Sequence, residues 1–265
     1  APFLLYLQSL FFFIFKANWF SYVLHASMIN MVFTLFSFHF FSKLGLKKIY
    51  SFIYALGIAV LAYPAAGSPF VDHHATIFSI LALYSLSLAI LYEKNFYWFL
   101  APMLLIFSFF SKQIPSAYLF VLISIVILVN YFFIKKIKKE NLFYFFLGSF
   151  FSFLIIFSVF LINEIPLKNF LIQYIYYPAT IGSERINNLE FGIKNVLGQF
   201  KFIYFSLIPL VFSTYFLTKI KNKNLVQKKE FLISFLFLTS ILIFIYCQLL
   251  TMNQILIFCL IPISA

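Results

Sequence analysis

Asp72, His73 and His74 are consecutive in the stretch Gly67-Ser68-Pro69-Phe70-Val71-Asp72-His73-His74, directly before an apolar run that opens at Ala75. One reading is helix capping, because an Asp at a helix N-terminus meets free amide groups and the positive end of the dipole. Capping alone does not call for two adjacent histidines. The other reading is a ligand site. Asp72 with His73 can hold a divalent ion, and Asp72, His73 and His74 can contact a phosphate-linked substrate. A second polar group is Ser111-Lys112-Gln113-Ile114-Pro115, where Lys112 and Gln113 sit in a turn too short to be a solvated loop. Lys112 either snorkels to lipid headgroups or receives an anionic head or phosphate, with Gln113 beside it. A third is Arg185, the single Arg of the chain, within Tyr174, Tyr176, Tyr177, Pro178, Gly182, Glu184, Arg185 and Asn187-Asn188. A planar guanidinium suits phosphate or carboxylate recognition, and the plainer reading is an exposed ion pair with Glu184 or Glu190.

These groups must be carried by apolar elements. The chain has 265 residues, 64% of them apolar, 23% aromatic and only 10% charged, with a mean hydropathy of +1.02. That leaves too little polar surface to cover a water-soluble globule. A soluble enzyme, a disulfide scaffold and a disordered tail are thereby excluded. The long uninterrupted runs point to an all-α, polytopic transmembrane helical bundle rather than a β-barrel. Cys247 and Cys259 lie in apolar runs and offer neither metal spacing nor a disulfide argument.

Apolar runs fall near 19–41, 49–64, 75–92, 96–111, 115–134, 142–162, 201–217 and 231–250, with a partial one from 255. Eight to nine spans are therefore expected in one domain over 1–265. The run 2–15 is short for a span, which takes about 20 residues, and reads as an external juxtamembrane helix. The chain begins at Ala1 inside one apolar run and stops at Ala265 inside another, so further sequence is expected at both ends.

The net charge of +12 does not signal nucleic acid here, because the lysines sit in short loops between apolar runs. Lys43, Lys47, Lys48, Lys94, Lys135, Lys136, Lys138, Lys139, Lys219, Lys221, Lys223, Lys228 and Lys229 fall on one side. Lys16, Lys112, Lys168, Arg185, Lys194 and Lys201 fall on the other. Thirteen against six puts the first set in the cytoplasm. The outer face then carries the 65–74 loop, the Lys112-Gln113 turn, the external segment 163–200 and the Thr251–Gln254 turn. A segment as long as 163–200 exceeds what a connector requires, and its Leu/Ile/Tyr-rich first half reads as a membrane-surface helix. His25 and His39 have no partner at helical spacing, so both read as core or interfacial residues.

The order of these features resembles the GT-C superfamily of membrane glycosyltransferases, which includes the protein mannosyltransferases and lipid A aminoarabinose transferases. Ala1-Pro2-Phe3-Leu4-Leu5-Tyr6-Leu7 up to Phe15, then Asn18-Trp19-Phe20-Ser21, is similar to their outer-face "PPL-YY" helix and the span after it. Val71-Asp72-His73-His74-Ala75 leading into Phe78-Ser79-Ile80-Leu81-Ala82-Leu83-Tyr84 resembles their "D-x-x-x-x-F-F-x-x-L-A-L-Y" helix. Phe110-Ser111-Lys112-Gln113-Ile114-Pro115 resembles their "L-x-K-x-P" turn. Gln254 to Pro262 is similar to a late "R-Y-x-x-x-x-x-P" helix, without its Arg. The Asp-His-His triplet also resembles bacterial and archaeal oligosaccharyltransferases. The resemblance covers nearly the whole chain as a pattern of short motifs.

It implies an enzyme that moves a sugar from a polyprenyl-phosphate donor to an acceptor glycan, lipid or protein outside a bacterial cytoplasmic (inner) membrane. In that pattern the main catalytic carboxylate lies in a first external loop, before Ala1. Asp72 is then a secondary acidic catalytic residue that binds substrate or a metal. Lys112 and Arg185 face the lipid phosphate. No cofactor beyond a divalent metal is implied, and the partners are the lipid-linked sugar, membrane lipid and the acceptor, not nucleic acid. Two rivals stand beside this expectation. A polysaccharide polymerase or ligase uses the same lipid but usually several external arginines. A polytopic transporter places charges mid-membrane, where this chain has none.

Overall fold

The computed structural model describes residues 2–134, 137–187, 192–220, 223–251 and 254–265. Lys135, Lys136, Asn188, Glu190, Lys221 and the middle of the Thr251–Gln254 turn lie outside the described residues. Among the described residues all regular structure is helical. In chain order the helices are α1 Pro2–Phe15, α2 Trp19–Lys43, α3 Lys48–Ala62, α4 Val71–Tyr92, α5 Asn95–Ser111 and α6 Gln113–Val129. They continue as α7 Lys139–Ile162, α8 Leu167–Leu171, α9 Tyr177–Asn187, α10 Gln199–Lys219, α11 Leu225–Thr251 and α12 Ile261–Ser264. Wide single turns extend α6 over Asn130–Ile134, join α8 to α9 over Ile172–Tyr176 and precede α10 over Lys194–Gly198.

Six helices are long and apolar enough to cross a membrane: α2, α4, α6 with its extension, α7, α10 with its preceding turn, and α11. They make the chain an integral membrane protein of the all-α class. The runs at 49–64 and 96–111 form α3 and α5, of 15 and 17 residues, and the first run forms α1, of 14. All three fall short of the six in length.

Helix ends follow local chemistry. Asn18 caps α2, its side-chain oxygen accepting from the Ser21 amide at 3.0 Å. α4 stops at Glu93, whose left-handed conformation (φ 55°) turns the chain back into α5. The N-cap of α4 is Phe70, with no side-chain cap, and Asp72 lies in the first helical turn instead.

α4 is the axis of the molecule: every residue from Asp72 to Ile90 is buried. A helix apolar all round and buried all round belongs inside a bundle. Side chains tie its two ends to different neighbours. His25 of α2 meets His74 at the start of α4, and the Tyr92 hydroxyl at its end donates to the Lys43 carbonyl, so α2 and α4 run parallel. α3, between them in the chain, returns along α2, its Ala59 carbonyl accepting from Asn30 at 2.8 Å. α5 returns along α4, because Lys112 at its end pairs with Asp72. α11 also runs against α4, with Lys229 near its start joined to Glu93.

Close contacts hold the middle. A Cβ on Gly148 of α7 would stand 2.0 Å from the Phe99 carbonyl oxygen of α5, so only Gly permits this approach. Ser152, one turn on, is fully buried. Ser108 of α5 donates to the Ala75 carbonyl of α4 and meets the Ser79 and Ser116 hydroxyls, each contact being 2.7 Å. Its one proton and two lone pairs are thus fully used, and α4, α5 and α6 are stitched together beside Lys112. Outward, α7 and α10 expose Phe143, Phe146, Phe150, Phe202, Phe205 and Phe212, an apolar surface suited to lipid.

Candidate functional site

Lys112 occupies the single extended residue between α5 and α6, and the serine network fixes the helices on both sides of it. Its ammonium pairs with the Asp72 carboxylate across the start of α4. Lys112 and Asp72 are thus at one end of the bundle, as the lysine distribution requires. The neighbouring Gln113 side chain donates to the Tyr174 carbonyl, and the Tyr174 hydroxyl donates to the Phe109 carbonyl. These two bonds fasten the segment after α8 onto the α5–α6 turn. Burial raises the Tyr174 phenol above its ordinary pKa, so it remains a neutral donor.

Lys112, Gln113 and Arg185 line one cavity of about 600 Å³. Tyr118 of α6, Tyr177 and Ile181 of α9 and Leu250 of α11 supply its other walls, which are mainly apolar. Arg185 is exposed, and among the described residues no carboxylate is within ion-pair distance of it. The ion pair with Glu184 weighed above is therefore not formed, and Glu190 lies outside the described residues. Asp72 holds Lys112 but does not itself line the cavity, and neither do His73 and His74.

The histidines are engaged elsewhere. His74 Nδ1 lies 3.2 Å from the Phe70 carbonyl and its Nε2 lies 3.0 Å from His25 Nε2. His25 Nδ1 in turn lies 2.6 Å from the Gln8 carboxamide. Gln8 Oε1 accepts from His25 Nδ1–H, so a neutral His25 presents Nε2 as an acceptor to His74 Nε2–H. Phe11 stacks on His25 at 4.6 Å between ring centres. Sequence reasoning missed Gln8 and the His25 partner, because 49 residues separate His25 from His74. His39 has a partner too, the Tyr97 hydroxyl at 2.8 Å.

His73 is buried with neither ring nitrogen hydrogen-bonded; the Ala62 carbonyl faces it without closing a bond of ordinary geometry. Thr76 Oγ1, one turn further on, is likewise buried and unpartnered. As to a metal on Asp72 and His73, no three His, Cys, Asp or Glu side chains converge among the described residues. With Lys112 on the Asp72 carboxylate, this donor set does not fit a resident divalent ion.

Fold and site together define an all-α integral membrane protein with a cationic, apolar-walled cavity at one end of its bundle. No family model, curated protein or solved structure significantly matches the chain.

Proposed function

We propose that the protein is a membrane glycosyltransferase that takes its sugar from a polyprenyl-phosphate donor held in the Lys112–Arg185 cavity. The observation that carries this reading is the pairing of two cations from different elements with apolar walls in one space. A lipid phosphate has that same division, an anionic head on an apolar chain. Lys112 and Arg185 stabilise the departing phosphate as its charge grows, and Arg185 offers a fork with no competing carboxylate among the described residues. Asp72 is the secondary acidic residue, positioning Lys112 through their ion pair. Gln113 keeps the cavity wall in place through Tyr174.

The same reading makes eight crossings. α3 and α5 each connect opposite ends of helices that are themselves long enough to span, so both cross despite their length. The lysine-rich end faces the cytoplasm and the Lys112 end faces outward, with α1 lying at that outer end, in a membrane of the bacterial cytoplasmic type.

The test is transfer of radiolabelled sugar from polyprenyl-phosphate donors by membranes carrying the protein, with Lys112→Met and Asp72→Asn for comparison. Removing Lys112 is expected to lower transfer about 100-fold, the size typical of one lost charge-stabilising donor. Wild-type membranes that transfer no sugar from any such donor would defeat the reading. Transfer unchanged in Lys112→Met would keep an enzyme but remove its anion site from this cavity.

A further inference from the structure

A second cavity, of about 710 Å³, opens at the same end of the bundle between α1, the end of α7 and α8. Residues 173–178 form the partition between it and the cationic cavity. Gln173 and Tyr174 face the second cavity, while Ile175, Tyr177 and Pro178 face the first.

The two linings differ in kind. Among the described residues no Asp, Glu, Lys, Arg or His lines the second cavity. Its polar groups are the carboxamides of Asn163, Asn169 and Gln173 and the hydroxyls of Tyr6 and Ser9. Asn163 donates one bond to the Val159 carbonyl, and Ser9 donates to the Tyr6 carbonyl. Asn169 and Gln173 make no side-chain hydrogen bond to other described residues and are exposed to the cavity and solvent. Phe170 and Tyr174 supply ring faces, stacked at 5.1 Å between centres and backed by Phe160.

Carboxamides offer donors and acceptors side by side, and that matches ligands whose hydroxyls both give and take hydrogen bonds. Aromatic rings beside them cover the C–H face of such a ligand. The absence of charged lining groups disfavours a phosphorylated or carboxylated ligand, which would lose hydration without an ion to receive it. We propose that this cavity binds a neutral saccharide, one helical turn from the cationic cavity. As the place of an acceptor sugar it rests on the glycosyltransferase reading, whereas binding as such does not.

The probes are chitotriose, mannotriose and galactotriose, titrated against the detergent-solubilised protein by saturation-transfer NMR, with glycerophosphoglycerol as the lipid-headgroup control. At least one trisaccharide is expected to bind wild type. The double variant Asn169→Leu/Gln173→Leu is expected to weaken it about tenfold or more, the loss of one or two neutral hydrogen bonds. Both positions are exposed, so the fold should persist, and an unchanged melting temperature verifies this. Lys112→Met should bind the trisaccharide as wild type does. The proposal is overturned if no trisaccharide binds, if the double variant binds equally well, or if only glycerophosphoglycerol binds. Saccharide binding without any sugar transfer would defeat the enzyme reading and leave this one standing, and transfer without saccharide binding would do the reverse.

Discussion

Both ends of α4 carry a lysine–carboxylate pair, and the two pairs are built differently. At its start, Asp72 is the more deeply buried partner and Lys112 the more open one, with side-chain exposures of 11% and 20%. At its end the order is reversed: Lys229 is 9% exposed and Glu93 28%, at 2.8 Å. Lys229 also donates to the Leu91 carbonyl, completing a cage at the C-terminus of α4, where a cation meets the negative end of the dipole. Lys112 instead opens on a cavity of about 600 Å³ that it shares with Arg185. A buried pair becomes a fastening when the cation has nowhere else to go. It becomes a candidate ligand site when the cation has a second place to point. The comparison is sharpest when the carboxylate is removed, because that leaves each lysine to find its own solution.

The largest effect is expected where the two ends are held in register rather than at either end. Gly148→Val forces α5 and α7 apart at the Phe99 carbonyl, a backbone contact that no rotamer can relieve. A loss of about 3 kcal/mol is expected, at the upper end for overpacking, measured as a fall in melting temperature in detergent. An unshifted melting temperature would mean that α5 and α7 do not approach as closely as the Cβ position requires.

Glu93→Gln comes next. It leaves Lys229 buried with neutral acceptors but no counter-charge, and should cost about 2 kcal/mol, less than a fully buried broken pair because Glu93 is partly solvated. Asp72→Asn should cost about half as much, since Lys112 can turn into its cavity and keep its hydration. The same substitution should tighten polyprenyl-phosphate binding, measured as a lower Kd, because the anion no longer competes with a carboxylate for Lys112. Equal destabilisation by the two variants would erase the distinction between fastening and site.

The sequence made the elements and their sidedness legible, but not the contacts between them. Apolar runs and lysine bias act locally and repeat along the chain, so the six long helices and the common end of Asp72 and Lys112 could be read directly. Two runs form helices that are shorter than the others, and composition alone does not give their length in space. The composition of 163–200 points to a surface helix in its first half, yet helix extends through Asn187. Pro178 and Gly182 look like breakers, but the helix runs on from Leu167 through a widened turn at Ile172–Tyr176 just before Pro178, where the Tyr174 carbonyl accepts from Gln113 instead. Gln8, His25 and His74 come from three helices, and Tyr118, Arg185 and Leu250 from three more. Such convergence leaves no spacing in the sequence to find.

The smallest effect belongs to the partition between the two cavities. Tyr174→Phe keeps the ring stack on Phe170 and removes only the hydrogen bond to the Phe109 carbonyl, about 1 kcal/mol. Its signature is its dependence on pH. Burial raises the folded-state pKa of Tyr174 above the unfolded value, so the neutral phenol is favoured by folding. The stability it contributes is fully present below the ordinary tyrosine pKa of about 10 and is lost as pH rises from there through the higher folded value. The melting-temperature gap between wild type and Tyr174→Phe should therefore be constant from neutral pH to about 9 and narrow above 10. A gap that narrows already at neutral pH would place a different group in control. A gap that never appears would show that Gln113 and the ring stack alone hold the wall between the charged cavity and the neutral one.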